Sequence, residues 1–186
     1  MILPSRPFVL IRHGQTDANL DGIIAGRTEA QLTEAGRAAA RALASWDWPE
    51  PIAIFSSPQH RARETAALAF PSRRAAPIEG FRERDWGRFE GQPVAVAPPR
   101  HQTPEGGEGW SDMIARVERA LARAIEDAGA ALPVIVAHSG VIRAARVVTG
   151  GRDDGPSPAN TTPLLFAPTG SGWRESQLEK EQQWTA

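Results

Sequence analysis

The stretch Phe8-Val9-Leu10-Ile11-Arg12-His13-Gly14 joins a short apolar run to a histidine that follows it almost directly. Four consecutive apolar residues are typical of a β-strand that is buried on both faces, as in a parallel sheet. A second stretch, Val134-Ile135-Val136-Ala137-His138-Ser139-Gly140, repeats this arrangement far along the chain. Ligands of open parallel sheets bind at the carboxyl ends of the strands. The two stretches therefore predict a parallel sheet with two histidines at its ligand-binding edge.

Apolar runs alternate with helical patterns along most of the chain, and this alternation favours an α/β fold with a mostly parallel central sheet. Buried strands are predicted over 8–11, 51–55 and 132–137, with a terminal hairpin over 162–167 and 173–178. Helices are predicted over 33–46, from Pro58 to about Phe70, over 110–128 and over 141–148. We therefore expect a three-layer α/β/α arrangement, with a frayed tail after Lys180.

The chain has 186 residues, and at about 150 residues per domain this length predicts one domain over 1–186. The segment from about 84 to 109 interrupts the pattern with four prolines and five glycines. Long irregular connections are uncommon inside compact domains and often serve as binding loops or lids. We expect a short lid-like insertion at this place.

Composition excludes several classes of protein. The chain has no cysteine, which excludes disulfides, thiolate metal sites and a cysteine nucleophile. Its 21 basic residues balance 22 acidic ones, so the net charge does not support a nucleic-acid or anionic membrane partner. No run approaches the roughly 18 apolar residues of a membrane span, and residues 1–7 lack the pattern of a signal peptide. We expect a cytoplasmic protein.

A third stretch, Ser57-Pro58-Gln59-His60-Arg61-Ala62-Arg63, also lies at a strand end and a helix start. Helix starts favour anions, and the arginine fork binds phosphate oxygens, so Arg61 and Arg63 both qualify as phosphate ligands. A phosphate pocket that combined such an arginine with Arg12 and the strand-end histidines would explain a histidine nucleophile. Neutral imidazole can attack phosphorus without a metal when fixed charges neutralise the phosphoryl oxygens. This chemistry also needs a carboxylic acid that protonates the leaving oxygen.

The motifs resemble those of a known family. Arg12-His13-Gly14-Gln15-Thr16-Asp17-Ala18-Asn19 is similar to the R-H-G-[EQ]-[ST]-x-x-N signature of the histidine phosphatase superfamily, the phosphoglycerate mutase-like family. Four further blocks follow in the family's order, over 26–36, 57–66, 81–91 and 134–143. The resemblance covers residues 8–150, and five ordered blocks make it specific. It implies the phosphoglycerate mutase-like form of the three-layer α/β/α fold.

Functional roles follow from this resemblance. It implies that His13 is the nucleophile, which forms a phosphohistidine, and that Glu83 protonates the leaving group and then activates water. The residues expected to hold the phosphoryl group are Arg12, Arg61 and His138. Those expected to line the phosphate site with them are Gln15, Asn19 and Ser139. The resemblance implies neither a metal nor another cofactor.

The alignment also separates neighbouring candidates. Glu83 falls on the family's acid position, which no neighbouring carboxylate does, and Arg61 rather than Arg63 falls on the phosphate position. The two remaining histidines, His60 and His101, are expected to be bystanders.

The composition of the insertion bears on the substrate. Arg100 is its only basic residue after Arg88. The family's mutases carry a longer lid with more basic residues, so the resemblance favours hydrolysis of a small phosphate ester. Gly107-Glu108-Gly109 before Trp110 is similar to the α-ribazole phosphatases, which favours α-ribazole 5′-phosphate as substrate. A cofactor-dependent phosphoglycerate mutase and a non-catalytic phospholigand-binding module stay open as alternatives, as does the choice between monomer and homodimer.

Overall fold

The computed structural model describes residues 3–180, so the tail after Lys180, for which fraying is expected, lies outside the described residues. The strands are β1 (Phe8–Arg12), β2 (Ile52–Ser56), β3 (Ala76–Pro77), β4 (Leu132–Ala137), β5 (Pro163–Thr169) and β6 (Gly172–Gln177). They form one sheet in the order β3-β2-β4-β1-β5-β6. The first four strands in that order are parallel, and the hairpin of β5 and β6 adds an antiparallel edge. The predicted, mostly parallel sheet is confirmed.

The register of the parallel strands brings three strand ends together. Val9 of β1 lies opposite Val134 of β4. Directly after β1, the backbone N–H of His13 donates to the carbonyl oxygen of Ala137 over 2.9 Å. Because β4 lies between β1 and β2, the carboxyl ends of all three strands meet at one edge of the sheet.

Helices cover both faces of this sheet. They are α1 (Asp17–Leu20), α2 (Glu34–Ala42), α3 (His60–Ala69), α4 (Trp110–Asp127) and α5 (Ser139–Val148). Successive side chains of a strand point to opposite faces: Leu10 packs in one core with α4 and α5, whereas Val9 and Ile11 pack in a second core with α3. The expected three-layer α/β/α arrangement is confirmed.

Helix α3 begins at His60, two residues later than predicted from Pro58. Gln59 stays extended, at φ −67° and ψ 141°, and serves as the N-cap without a side-chain capping bond. Its amide instead donates to the carbonyl of Gly26 over 2.6 Å and accepts the backbone N–H of Glu83 over 2.8 Å. Long-range bonds of Gln59 therefore delay the helix.

Two other helix boundaries differ from the prediction. Helix α2 ends at Ala42 and passes into a 3₁₀ turn, instead of reaching Trp46, and the indole of Trp48 donates to the carbonyl of Leu43 there over 3.0 Å. Helix α5 begins at Ser139 rather than Val141, directly after β4. The short helix α1 was not predicted, because its four residues show no periodicity; the capping box of Thr16 and Asn19 stabilises it.

The insertion is irregular but tightly anchored. Arg84 is 1% exposed, and its guanidinium donates to the carbonyls of Glu108 over 3.0 Å and of Gln102 over 2.9 Å. The same guanidinium lies 4.7 Å from the ring centroid of Trp86 and 5.8 Å from that of Trp110. Arg84 thus ties both ends of the insertion together. Within residues 3–180, no helix combines the length and apolarity that crossing a membrane requires.

Candidate active site

A cavity of about 330 Å³ opens beside the carboxyl end of β1. Six of the eight predicted site residues line it, namely Arg12, His13, Asn19, Arg61, Glu83 and Ser139. The other two, His138 and Gln15, are not among its lining residues. His138 lies directly behind the lining, because its ring centroid is 5.2 Å from that of His13, with the rings edge to face.

The His13 ring is oriented by its neighbours. Its Nδ1 lies 2.8 Å from the carbonyl oxygen of Gly14, which can only accept, so Nδ1 carries the proton and Nε2 the lone pair of a neutral ring. The backbone of the same turn is fixed by the side chains of Thr65, 3.0 Å from the N–H of Gly14, and Asn160, 2.7 Å from the carbonyl of His13. A Cβ on Gly14 would lie 2.7 Å from the carbonyl oxygen of Gly36, so this turn requires glycine.

Burial keeps His13 neutral. The side chain is almost fully enclosed, with 5% of the residue exposed. Desolvation, followed by the charge of Arg61, lowers the pKa of His13 to about 3, although the Gly14 hydrogen bond opposes this shift. At neutral pH the imidazole is therefore uncharged and has a fixed lone pair.

His138 is fully buried, and its Nε2 lies 2.8 Å from the hydroxyl oxygen of Ser57. Desolvation, and then the charge of Arg61, lowers the pKa of His138 well below its usual range. Its Nδ1 is buried without a hydrogen-bond partner among the described residues.

Arg61 is held rigidly by backbone carbonyls. It is 1% exposed, and its guanidinium donates to the carbonyls of Thr28 over 3.0 Å and of Ala25 and Gly26, each over 2.9 Å. The Glu90 carboxylate in turn accepts the backbone N–H groups of Gly26 over 3.0 Å and Thr28 over 3.1 Å. Glu90 therefore shapes the loop that positions Arg61. This structural role explains a carboxylate at residue 90 without assigning it acid–base chemistry.

Arg12 approaches the cavity from the end of β1. Its Nη1 donates to the carbonyl of Pro158 over 2.9 Å and to the hydroxyl of Ser157 over 3.3 Å. Its Nε is buried and has no partner in the described part of the chain. Burial lowers the pKa of both Arg12 and Arg61, and the charge of Glu83 opposes the shift. Both groups stay charged, since an arginine titrates far above neutrality.

Glu83 is half-buried, and backbone groups hold both of its carboxylate oxygens. One oxygen accepts the N–H of Arg84 over 2.8 Å, and the other accepts the N–H of Gly140 over 3.0 Å. A Cβ on Gly140 would lie 2.1 Å from the carboxylate. A side chain at Gly140 would therefore displace the Glu83 carboxylate from this position.

The three residues expected to line the phosphate site lie in different places. The side-chain oxygen of Asn19 accepts the N–H of Thr16 over 3.1 Å, and Asn19 lines the cavity. Ser139 also lines it. The Gln15 side chain instead accepts the hydroxyl of Thr33 over 3.0 Å, at the start of α2. The structure thus does not bring Gln15 into the cavity.

The residues set aside on sequence grounds lie elsewhere. Arg63 is exposed and lines a different cavity, of about 550 Å³, that contains none of the predicted site residues. His60 and His101 are exposed. Within residues 3–180, no group of three or more histidine or carboxylate side chains is placed to hold a metal ion.

Sequence reasoning missed two arginines that line the cavity, Arg100 and Arg143. Arg143 is the last residue of the matched block over 134–143, so the motif itself contained the signal. Arg100 carried a weaker signal, as the only basic residue in the second half of the insertion.

Comparison with known proteins identifies the family. The profile of the histidine phosphatase superfamily (branch 1) matches residues 8–154. The chain belongs to this superfamily. The resemblance inferred from the five motifs is confirmed, and the match includes His13, Glu83 and His138.

Two of the similar proteins are named as phosphatases. The chain is 38% identical over 115 residues to a probable phosphatase of Schizosaccharomyces pombe, covering 58% of this chain and 55% of that protein. It is 28% identical over 155 residues to a metal-independent phosphoserine phosphatase of Arabidopsis thaliana, covering 73% of this chain and 65% of that protein. The chain thus spans less than two thirds of the length of either relative.

A solved structure of a mycobacterial glucosyl-3-phosphoglycerate phosphatase, in complex with VO3, is similar over almost the whole chain. The TM-score is 0.78 at 26% identity, and the superposition covers 92% of this chain and 98% of the mycobacterial one. This similarity confirms the phosphoglycerate mutase-like α/β fold.

Proposed function

We propose that this protein is a metal-independent phosphomonoester hydrolase that acts through a covalent phosphohistidine on His13. The observation that carries the proposal is a neutral, oriented His13 that lines one cavity with Arg12, Arg61 and Glu83. A phosphoryl group in the cavity would lie within reach of the His13 lone pair. Its charge would also be balanced by Arg12 and Arg61.

The first step transfers the phosphoryl group to the protein. Nε2 of His13 attacks phosphorus, the bond from phosphorus to the ester oxygen breaks, and that oxygen takes a proton from Glu83 in its acid form. Arg12 and Arg61 stabilise the charge on the equatorial oxygens, so the site's own residues supply the positive charge that the transition state needs.

The second step releases phosphate. The Glu83 carboxylate takes a proton from water as the water oxygen attacks phosphorus, and the bond from phosphorus to Nε2 of His13 breaks. His13 returns to its neutral form and Glu83 to its acid form. Each turnover therefore consumes one ester and one water and yields one alcohol and one phosphate.

The same residues distinguish the proposed hydrolase from a binding module and from a mutase. A non-catalytic phospholigand-binding module would need neither a free lone pair at His13 nor a carboxylate in the cavity, and both are present. Mutase activity is disfavoured because the insertion contributes only Arg100 to the cavity as a basic residue. α-Ribazole 5′-phosphate as substrate, a single catalytic domain, a cytoplasmic location and a monomer or homodimer stay predictions.

Replacement of the nucleophile tests the proposal. We expect His13→Ala to lower the hydrolysis of p-nitrophenyl phosphate by at least about 10³-fold, because the substitution removes the oriented lone pair that forms the covalent intermediate. His60→Ala, at an exposed histidine, is the matched control and should retain wild-type activity. A chelator should have no effect on the wild type.

Three outcomes would contradict the proposal: full activity in His13→Ala, loss of activity to the chelator with recovery on adding zinc, or tight binding of many phosphate esters without turnover. An assay with phosphoglycerate separates the mutase. Release of phosphate supports a hydrolase, whereas transfer of the phosphoryl group between the two hydroxyls supports a mutase.

A further inference from the structure

The active-site cavity holds more positive charge than one phosphoryl group requires. Among the described residues, four arginines line it, Arg12, Arg61, Arg100 and Arg143, together with a single carboxylate, Glu83. His13 adds no charge, because burial keeps it neutral. The proposed mechanism uses Arg12 and Arg61. It leaves Arg100 and Arg143 without a role.

Arg143 is built into the cavity wall. It lies on α5 and is 6% exposed. Its two terminal nitrogens donate to backbone carbonyls, to that of Asp153 over 2.7 Å and to that of Gly155 over 3.0 Å. Carbonyl dipoles orient the guanidinium but do not neutralise it. Desolvation, and then the charges of Arg100 and Arg146, lower the pKa of Arg143, and the Asp153 carboxylate opposes this shift.

Arg100 brings a second guanidinium to the same place. It belongs to the insertion, and its Nη1 donates over 3.3 Å to the carbonyl oxygen that Arg143 also contacts. Its guanidinium lies 5.5 Å from the ring centroid of Trp110, which limits where the side chain can go. Within residues 3–180, Arg100 forms no ion pair with a carboxylate.

Two like charges held side by side repel each other, and an anion between them would remove that repulsion. The lining also has polar residues, Ser139 and Ser157, whose hydroxyl oxygens lie 3.0 Å apart. Apolar residues complete it, with Ile23, Ile24 and Val94 among them. Such a cavity suits a short carbon chain with an anionic group at each end.

We infer that Arg100 and Arg143 form a second anion-binding subsite, which selects phosphate monoesters whose leaving group carries its own carboxylate or phosphate. This inference rests on the proposed function, because it assigns the phosphoryl end to Arg12 and Arg61. It makes esters with an uncharged leaving group, α-ribazole 5′-phosphate among them, the poorer substrates.

The test compares three esters of one carbon skeleton: 3-hydroxypropyl phosphate, 3-phosphooxypropanoate and propane-1,3-diol bisphosphate. They differ only in whether the far end is a hydroxyl, a carboxylate or a phosphate. We expect the wild type to favour at least one anionic ester over the hydroxyl ester by about tenfold or more in kcat/KM, as for a charge-assisted hydrogen bond. The favoured ester identifies the kind of anion.

Variants assign this preference to the two arginines. Arg100→Gln should reduce the ratio of anionic to neutral kcat/KM about tenfold. Arg143→Lys keeps the positive charge but loses the fork of guanidinium N–H donors, so it should also reduce this ratio. Thermal unfolding of the variant is measured in parallel, because Arg143 is buried. Arg88→Gln, at an exposed arginine of the same insertion, is the control and should leave the ratio unchanged.

The outcomes separate this inference from the proposed function. An enzyme that hydrolyses all three esters with equal efficiency, or whose anionic preference survives in both Arg100→Gln and a folded Arg143→Lys, overturns the second subsite alone. A protein that hydrolyses neither these esters nor p-nitrophenyl phosphate overturns the proposed function itself.

Discussion

Histidine protonation couples the chemistry of this site to the stability of the fold. The pKa of His13 falls from an ordinary 6.5 to about 3 in the folded protein, with desolvation as the main cause. The pKa of His138 shifts in the same direction for the same main reason. Between pH 6.5 and about 3, the His13 side chain is protonated in the unfolded chain but not in the folded protein. The contribution of His13 is thus fully present above about pH 6.5 and is lost as the pH falls towards 3, and that of His138 changes in the same direction.

This coupling predicts the effect of removing one titrating group. We expect the free energy of unfolding of the wild type to fall between pH 6.5 and 4.5 by about 2 kcal/mol more than that of His13→Asn, because one shifted group contributes about 1.4 kcal/mol per pH unit. Urea unfolding at several pH values measures the difference. His60→Asn, at an exposed histidine, should follow the wild type. Parallel curves for the wild type and His13→Asn would contradict the assigned burial effect.

Individual residues differ in how far sequence could predict them. Arg12 and His13 were predictable because Arg12 ends β1 and His13 directly follows it, and Glu83 because its motif is specific. Gln15 was not, because its side-chain contact with Thr33 depends on where the start of α2 packs. The partner of His138, Ser57, was not assigned either, since the bond between them spans 81 positions of sequence.

At the scale of elements, the position of Glu83 depends on α4. Arg116 of this helix forms a bidentate pair with Glu108, over 2.6 and 2.7 Å, and donates to the carbonyl of Glu83 over 3.2 Å. The same guanidinium donates to the carbonyls of Gly80 over 2.9 Å and Arg82 over 2.8 Å. The pair is largely buried, with 13% and 19% of the two side chains exposed. Arg116 and Glu108 thus hold the segment that carries the proposed acid.

Breaking the pair of Arg116 and Glu108 should impair protonation of the leaving group by Glu83. We expect Glu108→Gln to lower kcat/KM, which reports the first step, about tenfold more for an alkyl phosphate than for 2,4-dinitrophenyl phosphate. The alkoxide needs a proton from Glu83 to depart, whereas dinitrophenolate does not. Steady-state rates on both substrates measure the ratio.

The control for this change is Glu175→Gln, which alters another bidentate pair, with Arg146, away from the cavity. It should leave the ratio of the two rates unchanged. Equal loss on both substrates in Glu108→Gln would assign the pair to general stability instead of the position of Glu83.

Element type was more predictable than element ends. The main strands and the four longer helices were found because their apolar periodicity is strong. The start of α3 was missed because Gln59 bonds to residues 33 and 24 positions away. The insertion is irregular as expected, but its anchoring by Arg84 could not be seen, because a buried arginine stacked on tryptophan leaves no periodic pattern.

At the scale of the whole molecule, the near-neutral charge conceals a local excess. The formal net charge is −1, yet four arginines meet around one cavity. Composition could not identify them among the other arginines, because they lie on four different parts of the chain and only the parallel topology and the insertion bring them together. This local field suits anionic substrates far better than the net charge indicates.

The central claim is that His13 carries the phosphoryl group during turnover. It is tested most directly by mixing Glu83→Gln with 2,4-dinitrophenyl phosphate, quenching in alkali and mapping peptides by mass spectrometry. The good leaving group allows the first step without the acid, while loss of the base slows hydrolysis of the intermediate. We predict one phosphoryl group on the peptide that contains His13, labile to acid and absent from His13→Ala. A protein that releases dinitrophenol over many turnovers with unmodified His13 and no slowed step would contradict the account.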